Sequence, residues 1–331
     1  MSAPRSFSEF VGNARAVRIL RASIERGRLP HALIFAGPEG VGKKTLALIL
    51  ARLLNCLSPA NGEPCGRCRS CRKIDAGVHP DVIVVQPDGA FIKIEQVRAI
   101  RAEAAYQPFE GRFRVVVLDG ADRMRPEGAN CLLKTLEEPP SRTVLILVTA
   151  QPYLLLPTIS SRSQLLQFGP IPEDRIAEHL VRAAGLRPEE ARLAAALADG
   201  SLGAALAFDI GAYREARAQA LRFVSLLLGR GSFAEVSRLA AGLPKEREQF
   251  LSWLSLVESL LQDAYYAKVA PWRLSQPDAI EEARALAGRA PHSAVASAVR
   301  AIQSLRRSTF YNVNRQIALE SLFLARRGEL S

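Results

Sequence analysis

The chain has 331 residues, enough for two or three domains of about 150 residues each. Lys and Arg number 44 against 33 Asp and Glu, which gives a formal charge of +11, and 48% of the residues are hydrophobic. This composition is typical of a globular protein and excludes fibrous and disordered chains. The amino terminus carries no apolar leader, and no apolar run reaches about 18 residues, so we expect a cytoplasmic protein without a membrane span. The charge favours a polyanionic partner, nucleic acid first.

The first half of the chain alternates predicted strands with predicted helices. Short apolar runs predict strands, which cover 31–36, 81–85, 115–118 and 143–149. Apolar residues at helical spacing predict helices over 13–24, 46–54, 94–105 and 129–138. This alternation predicts a parallel sheet with crossover helices.

The pattern becomes entirely helical after 169–172, where Gly-Pro-Ile-Pro interrupts the chain. The predicted helices cover 173–184, 188–198, 202–208, 213–228 and a stretch around 250–261. We therefore expect three domains: an α/β domain over 1–169, a small helical domain over 170–211 and a larger helical domain over 212–331.

Four of the five cysteines lie close together in the sequence, at about 56–71. They are Cys56, Cys65, Cys68 and Cys71. A reducing compartment makes disulfides a poor explanation, whereas four thiolates at this spacing suit a closed, structural Zn²⁺ site. A loop of free cysteines is the alternative, and His79 is a possible substitute for one sulfur. Cys131 lies in an apolar helical stretch and is expected to pack as a small hydrophobic residue.

A phosphate-binding loop is predicted between the first strand and its helix. Gly37-x4-Gly42-Lys43 has the P-loop pattern, in which backbone N–H groups and the lysine bind phosphate oxygens. The next position normally carries the Ser or Thr that holds Mg²⁺, but here it is Lys44, and Thr45 comes one residue late. Phosphate binding is therefore plausible, whereas metal-assisted hydrolysis is not expected. The predicted, degenerate nucleotide site comprises Gly37, Gly40, Gly42, Lys43, Lys44, Thr45 and Asp119.

Asp119 ends a predicted buried strand, where a P-loop protein places a metal-binding aspartate. An active ATPase of the AAA+ class follows it with a glutamate that polarises water, but here Gly120 follows and has no side chain to do so. A strand-end residue that caps the next turn is an equally good interpretation of Asp119.

Five segments occur in the order found in one known family. They are the P-loop, the cysteine cluster after its helix, 115–122, the Leu-Glu-Glu-Pro-Pro segment in 131–140, and 158–163. On these motifs the first 170 residues resemble the bacterial clamp-loader AAA+ family. The resemblance implies an AAA+ P-loop parallel-sheet domain with an inserted zinc loop, a small helical lid domain and an all-α collar domain for oligomerisation.

The family forms a hetero-pentameric ring with gamma/tau and delta subunits. The ring places a sliding clamp on primer–template DNA within the DNA polymerase III holoenzyme, and ATP binds between subunits. A Ser-Arg-Cys motif sends an arginine into the neighbour's ATP site, and Arg162 occupies that position here, with Ser163 in place of the cysteine. Gly203 stands where active members carry the sensor 2 arginine. The resemblance implies that Arg162 acts in trans, and the departures from the family pattern at Lys44, Gly120 and Gly203 favour a subunit that is largely inactive as an ATPase and holds nucleotide weakly or not at all.

The sequence leaves two alternatives open. An autonomous AAA+ ATPase, like gamma/tau, would need Thr45 or a local shift to restore metal binding. A zinc-containing DNA-binding protein would use the basic residues around the cysteines, which are Arg67, Arg69, Arg72 and Lys73.

Overall fold

The computed structural model describes residues 4–104, 106–229, 231–244, 246–270, 280–308 and 314–330. The chain divides into two compact units, Met1–Phe208 and Asp209–Ser331. In the described part of the chain, no helix has the length and apolar character needed to cross a membrane.

The first unit is built on a five-stranded parallel sheet with the order β2-β3-β4-β1-β5. Its strands are β1 Ala32–Ala36, β2 Val82–Val85, β3 Arg114–Asp119, β4 Thr143–Thr149 and β5 Gln164–Gln167. The residues of β1 and β4 are all buried, as are the first five of β3, because helices cover both faces of the sheet. The predicted α/β fold class is confirmed.

Helices sandwich this sheet. They are α1 Ala14–Glu25, α2 Lys43–Asn55, α3 Arg69–Asp75, α4 Ile94–Ala104, α5 Pro126–Glu137 and α6 Pro157–Ser160. Alternate residues along β1 to β4 enter two separate cores. In β1, for example, Leu33 and Phe35 pack with α1 and α2, whereas Ile34 packs with α4 and α5.

Three further helices complete the first unit around a small core of their own. They are α7 Glu173–Ala184, α8 Pro188–Leu197 and α9 Leu202–Ala207. Alanines form most of this core, together with Ile171, Ile176 and Leu180. The boundary predicted between 169 and 170 falls inside this unit and remains a prediction.

The second unit is helical throughout its described residues. Its helices are α10 Ile210–Leu228, α11 Phe233–Ala241, α12 Arg247–Val269, α13 Ile280–Ala287, α14 His292–Ser308 and α15 Arg315–Leu330. Trp253 of α12 lies at the centre of its core, between Phe223 at 5.4 Å and Phe250 at 6.0 Å between ring centroids. Parts of the predicted 212–331 domain, 271–279 and 309–313 among them, lie outside the described residues.

Candidate functional site: a P-loop and a cluster of four thiols

The loop between β1 and α2 has the geometry of a phosphate-binding loop. β1 ends at Ala36 and α2 begins at Lys43, so the six intervening residues lie at the carboxyl end of a central strand and the amino end of a helix. Gly42 has φ +93°, and a Cβ atom there would lie 2.8 Å from the Phe10 ring. A side chain at Gly42 would therefore be both strained and obstructed.

A cavity of about 430 Å³ opens beside this loop. Most of the predicted nucleotide-site residues line it together: Gly40, Gly42, Lys43, Lys44, Thr45 and Asp119. Gly37 does not line the cavity, but its carbonyl accepts a hydrogen bond from Lys43 Nζ. The sequence thus predicted a group of residues that the fold brings to one place.

Lys43 points into its own loop. Its side chain is buried, and Nζ donates to the carbonyl oxygens of Gly37 and Pro38. Burial lowers the pKa of Lys43, and the negative charges of Glu39, Asp119 and Asp122 partly oppose this effect. These two carbonyl oxygens engage two of the three donors of the Lys43 ammonium group, so the third can bind a phosphate oxygen.

Lys44 forms an ion pair with the carboxylate that was expected to bind a metal ion. Its Nζ lies 3.3 Å from Asp119 Oδ2, and the same oxygen accepts a hydrogen bond of 3.0 Å from Gln86 Nε2. The carboxylate that would bind Mg²⁺ therefore already has a cationic partner from the P-loop helix. A divalent cation at Asp119 would be repelled by the Lys44 ammonium, so these residues do not fit Mg²⁺.

The remaining positions beside Asp119 offer little to activate water. Gly120 lines the cavity without a side chain, and the carboxylate of Asp122 accepts a hydrogen bond from Thr149 Oγ1. On the other side of the loop, the Gly203 N–H of α9 donates to the Gly40 carbonyl at 2.9 Å. A Cβ at Gly203 would lie 3.1 Å from Gly40 Cα, so the two backbones approach as closely as glycine allows.

A second cavity of about 610 Å³ shares Gly40, Gly42, Thr45 and Gly203 with the first. Its other walls come from the segment before α1 and from α7 and α9. They include Phe10, Leu206 and His179, whose Nδ1 is buried without a hydrogen-bond partner among the described residues. The sequence does not reveal these residues, since they come from distant segments that carry no motif.

The segment before α1 is held in place by the cysteine-containing loop. The carboxylate of Glu63 accepts hydrogen bonds from the backbone N–H groups of Phe7 at 2.7 Å and Ser8 at 3.1 Å, and it pairs with Arg21. Asp75 of α3 forms ion pairs with Arg5 and Arg52.

Arg162 lies apart from both cavities, between α6 and β5. Its guanidinium pairs with Glu137 Oε1 at 3.0 Å and donates to the Thr158 carbonyl at 3.2 Å. The side chains of Arg162 and Glu137 are 38% and 50% exposed, so the ion pair is weak and exchangeable. The structure therefore does not bring Arg162 to its own P-loop.

The four clustered cysteines form a candidate metal centre. Their Sγ atoms all lie within 4.8 Å of one another. Cys56 caps α2, Cys68 caps α3, and Cys71 lies in the first turn of α3. Backbone N–H groups donate to three of the sulfurs, at 3.2 Å to Cys56, 3.3 Å to Cys65 and 3.5 Å to Cys68. This all-sulfur donor set fits a soft or borderline metal ion in a tetrahedral site.

The thiols differ in acidity because of their surroundings. Burial acts to raise the pKa of Cys68, but hydrogen bonds from the N–H groups of Cys71 and Leu57 and from neighbouring thiols outweigh it, and the pKa is about 6. Burial raises the pKa of Cys56 and Cys71. Four thiolates this close repel one another, and a divalent cation removes that repulsion.

The two other residues considered with the cysteines lie outside the cluster. His79 Nε2 lies 3.0 Å from Ser70 Oγ, and its Nδ1 accepts from the Asp81 N–H. Cys131 is half-buried at the edge of the α4–α5 core, as expected for a small hydrophobic residue.

The first unit has a five-stranded parallel sheet, a P-loop after a central strand and a small helical bundle against that loop. The second unit is helical. This combination of features defines an AAA+ protein. Residues 12–172 match the family described as DNA polymerase III, delta subunit, and residues 212–326 match the corresponding C-terminal family. The chain belongs to the family of DNA polymerase III delta′ subunits, because it is 32% identical to the delta′ subunit of Bacillus subtilis over 94% of both chains.

Other relatives match shorter stretches. The delta′ subunit of Pseudomonas aeruginosa is 40% identical over 61% of this chain and 63% of its own length. The gamma/tau subunit of Mycobacterium bovis is 37% identical over 54% of this chain, a match that covers 31% of that longer protein.

Proposed function

We propose that this protein is a clamp-loader subunit that keeps the AAA+ fold without hydrolysing ATP at its own P-loop. The ion pair between Lys44 and Asp119 carries the proposal, because it places a fixed positive charge where hydrolysis needs Mg²⁺. Gly120 adds to this, since a P-loop ATPase needs a group there to orient water. The same geometry disfavours the autonomous ATPase.

The subunit supplies Arg162 to the ATP site of a neighbouring subunit. Three features support this role: Arg162 is exposed, it lies outside its own nucleotide cavities, and its pair with Glu137 is weak enough to exchange for a phosphate. A guanidinium beside the γ-phosphate offsets charge that develops during transfer, an effect worth about 10³–10⁵ in rate in arginine-finger systems.

Family membership supports a proposal for the partners. The relatives are named as subunits of DNA polymerase III, and we assign this chain to a hetero-pentameric clamp loader with gamma/tau and delta subunits. Through that complex it acts on the sliding clamp and primer–template DNA in the cytoplasm. The helical lid, 170–211, and the collar, 212–331, are the proposed parts beyond the AAA+ domain of 1–169.

The metal of the cysteine cluster is structural Zn²⁺, held by Cys56, Cys65, Cys68 and Cys71. All four positions are taken by sulfur, so no open position is left for water, and the ion stabilises the loop rather than catalysing a reaction. The alternative was DNA binding through the basic residues of the zinc loop. One of these residues, Lys73, forms an ion pair with Glu110, and this pairing weakens the case for that alternative.

The test is ATP turnover by the isolated chain and by the reconstituted ring. We expect no turnover by the chain alone, and Arg162→Ala should slow the neighbour's site by about 10³-fold or more while the ring still assembles. Arg175→Ala is the control, since Arg175 is also exposed and ion-paired. Turnover by the isolated chain, or a ring unaffected by Arg162→Ala, would contradict the proposal.

A further inference from the structure

The charges around the P-loop cavity balance without a metal ion. Three carboxylates line it, those of Glu39, Asp119 and Asp122, and three cations line it, those of Lys43, Lys44 and Arg123. With the usual Ser or Thr in place of Lys44, the formal charge of the side chains that line the cavity would be −1. A polyanion would then be repelled unless a divalent cation entered with it. Lys44 removes that requirement.

Lys44 can bind an anion as well as Asp119. Its side chain is 36% exposed, and its Nζ lies in the same cavity as the N-terminal end of α2. An ammonium group has three donors, so Lys44 can keep Asp119 as a partner and donate to a phosphate oxygen. Lys43 supplies a second ammonium one residue earlier, with a third donor beyond the two that its carbonyl partners engage.

The second cavity suits a base and sugar. It meets the first along Gly40, Gly42, Thr45 and Gly203, so one ligand can occupy both. Its walls are mainly apolar, with Phe10, Val11 and Leu206 among them. His179 adds one buried nitrogen without a partner among the described residues, which can bond to the polar edge of a base.

We propose that the P-loop binds a nucleoside polyphosphate without a divalent cation, with the Lys44 ammonium in the position of the metal. This inference rests on the proposed function and deepens it, because a subunit that holds nucleotide in this way retains the ligand without the metal needed to hydrolyse it. Nucleotide then acts as a structural ligand that joins the P-loop, α7 and α9.

The experiment measures binding of ADP to the full-length chain by calorimetry, in EDTA and in Mg²⁺. We expect the two dissociation constants to agree within about threefold. Lys44→Thr should weaken binding about tenfold or more in EDTA and regain affinity in Mg²⁺, whereas Lys44→Arg keeps the charge and should behave as the unaltered chain. A thermal melt of each variant in the absence of ADP confirms that it is folded.

Tripolyphosphate tests the base pocket in the same assay. We expect it to bind more weakly than ADP, and His179→Ala to weaken ADP but not tripolyphosphate. Absence of ADP binding in EDTA, improvement by Mg²⁺ of about tenfold or more, or an unchanged Lys44→Thr would overturn the inference. These outcomes concern binding alone, so they are distinct from turnover by the isolated chain, which would overturn the proposed function.

Discussion

Asp81 is a buried carboxylate that fixes the conformation of the segment just before β3. It is fully buried just before β2, and its carboxylate accepts bonds of 2.7–2.8 Å from three backbone N–H groups, those of Phe109, Glu110 and Gly111. Arg114 at the start of β3 pairs with it at 3.0 Å. The pair therefore fixes the segment that enters the central sheet.

Asp81→Asn should lower the free energy of unfolding by about 3 kcal/mol, because it leaves Arg114 buried without its counter-charge. Chemical denaturation of the full chain measures the effect. Asp88→Asn is the control, since Asp88 is exposed beside Lys93, and it should change stability by less than about 0.5 kcal/mol. Equal effects of the two substitutions would contradict the role given to Asp81.

The same site has a defined pH dependence. Burial acts to raise the pKa of Asp81, but the N–H groups and Arg114 outweigh it and hold the pKa below its ordinary value. The resulting stabilisation is complete above the unfolded pKa, about 3.9, and is lost as the pH falls through the lower folded value. The difference in stability between the unaltered chain and Asp81→Asn should therefore shrink in acid.

At the scale of elements, the sequence predicted helices and strands most accurately where the spacing of apolar residues and the length of the segment indicated the same type of element. The predicted bounds of β4 and α7 match the structure, because β4 is a continuous apolar run and α7 repeats apolar residues at helical spacing. β5 was not predicted, since only Leu166 of its four residues is buried and glutamines occupy both ends. It pairs with β1 at the edge of the sheet.

The P-loop and the cysteines were predictable because their chemistry requires fixed residue types at short spacing. The second cavity was not, because its walls depend on how α7 and α9 approach the P-loop. The pairing of Lys44 with Asp119 joins residues 75 positions apart. The sequence indicated that Lys44 would interfere with a metal, but only the fold identifies its partner.

Removal of the metal should destabilise the cysteine loop and α3, since three of the four ligands lie at 65–71. We expect a chelator, or Cys68→Ser, to lower the melting temperature of the first unit by about 5 °C or more. Cys131→Ser is the control, because Cys131 lies outside the cluster. Elemental analysis should find one zinc per chain, and a chain that melts identically without metal would refute a structural role.

At the scale of the whole molecule, the two units have separate hydrophobic cores. Both tryptophans of the chain, Trp253 and Trp272, belong to the second unit by sequence. The fluorescence of Trp253, which lies in the core of the second unit, therefore reports on that unit, whereas circular dichroism reports on both units.

Chelation of the metal should shift the melting transition seen by circular dichroism and leave that seen by tryptophan fluorescence unchanged. The reason is that the cysteine cluster contributes to the first unit alone, while the aromatic core around Trp253 needs no metal. Full-length chain with and without chelator is the comparison. Equal shifts in both signals would mean that the units unfold as one.

The Glu63 carboxylate connects the cysteine-containing loop to the segment before α1, which lines the second cavity. It secures the backbone of Phe7 and Ser8, and the next residues, Glu9 and Phe10, form a wall of the second cavity. Loss of the proposed metal ion from the cysteine cluster would therefore loosen a wall of that cavity as well as the cysteine loop. Oxidation of the thiols, a chemical signal unrelated to replication, should in this way weaken the nucleotide binding that we propose for the P-loop.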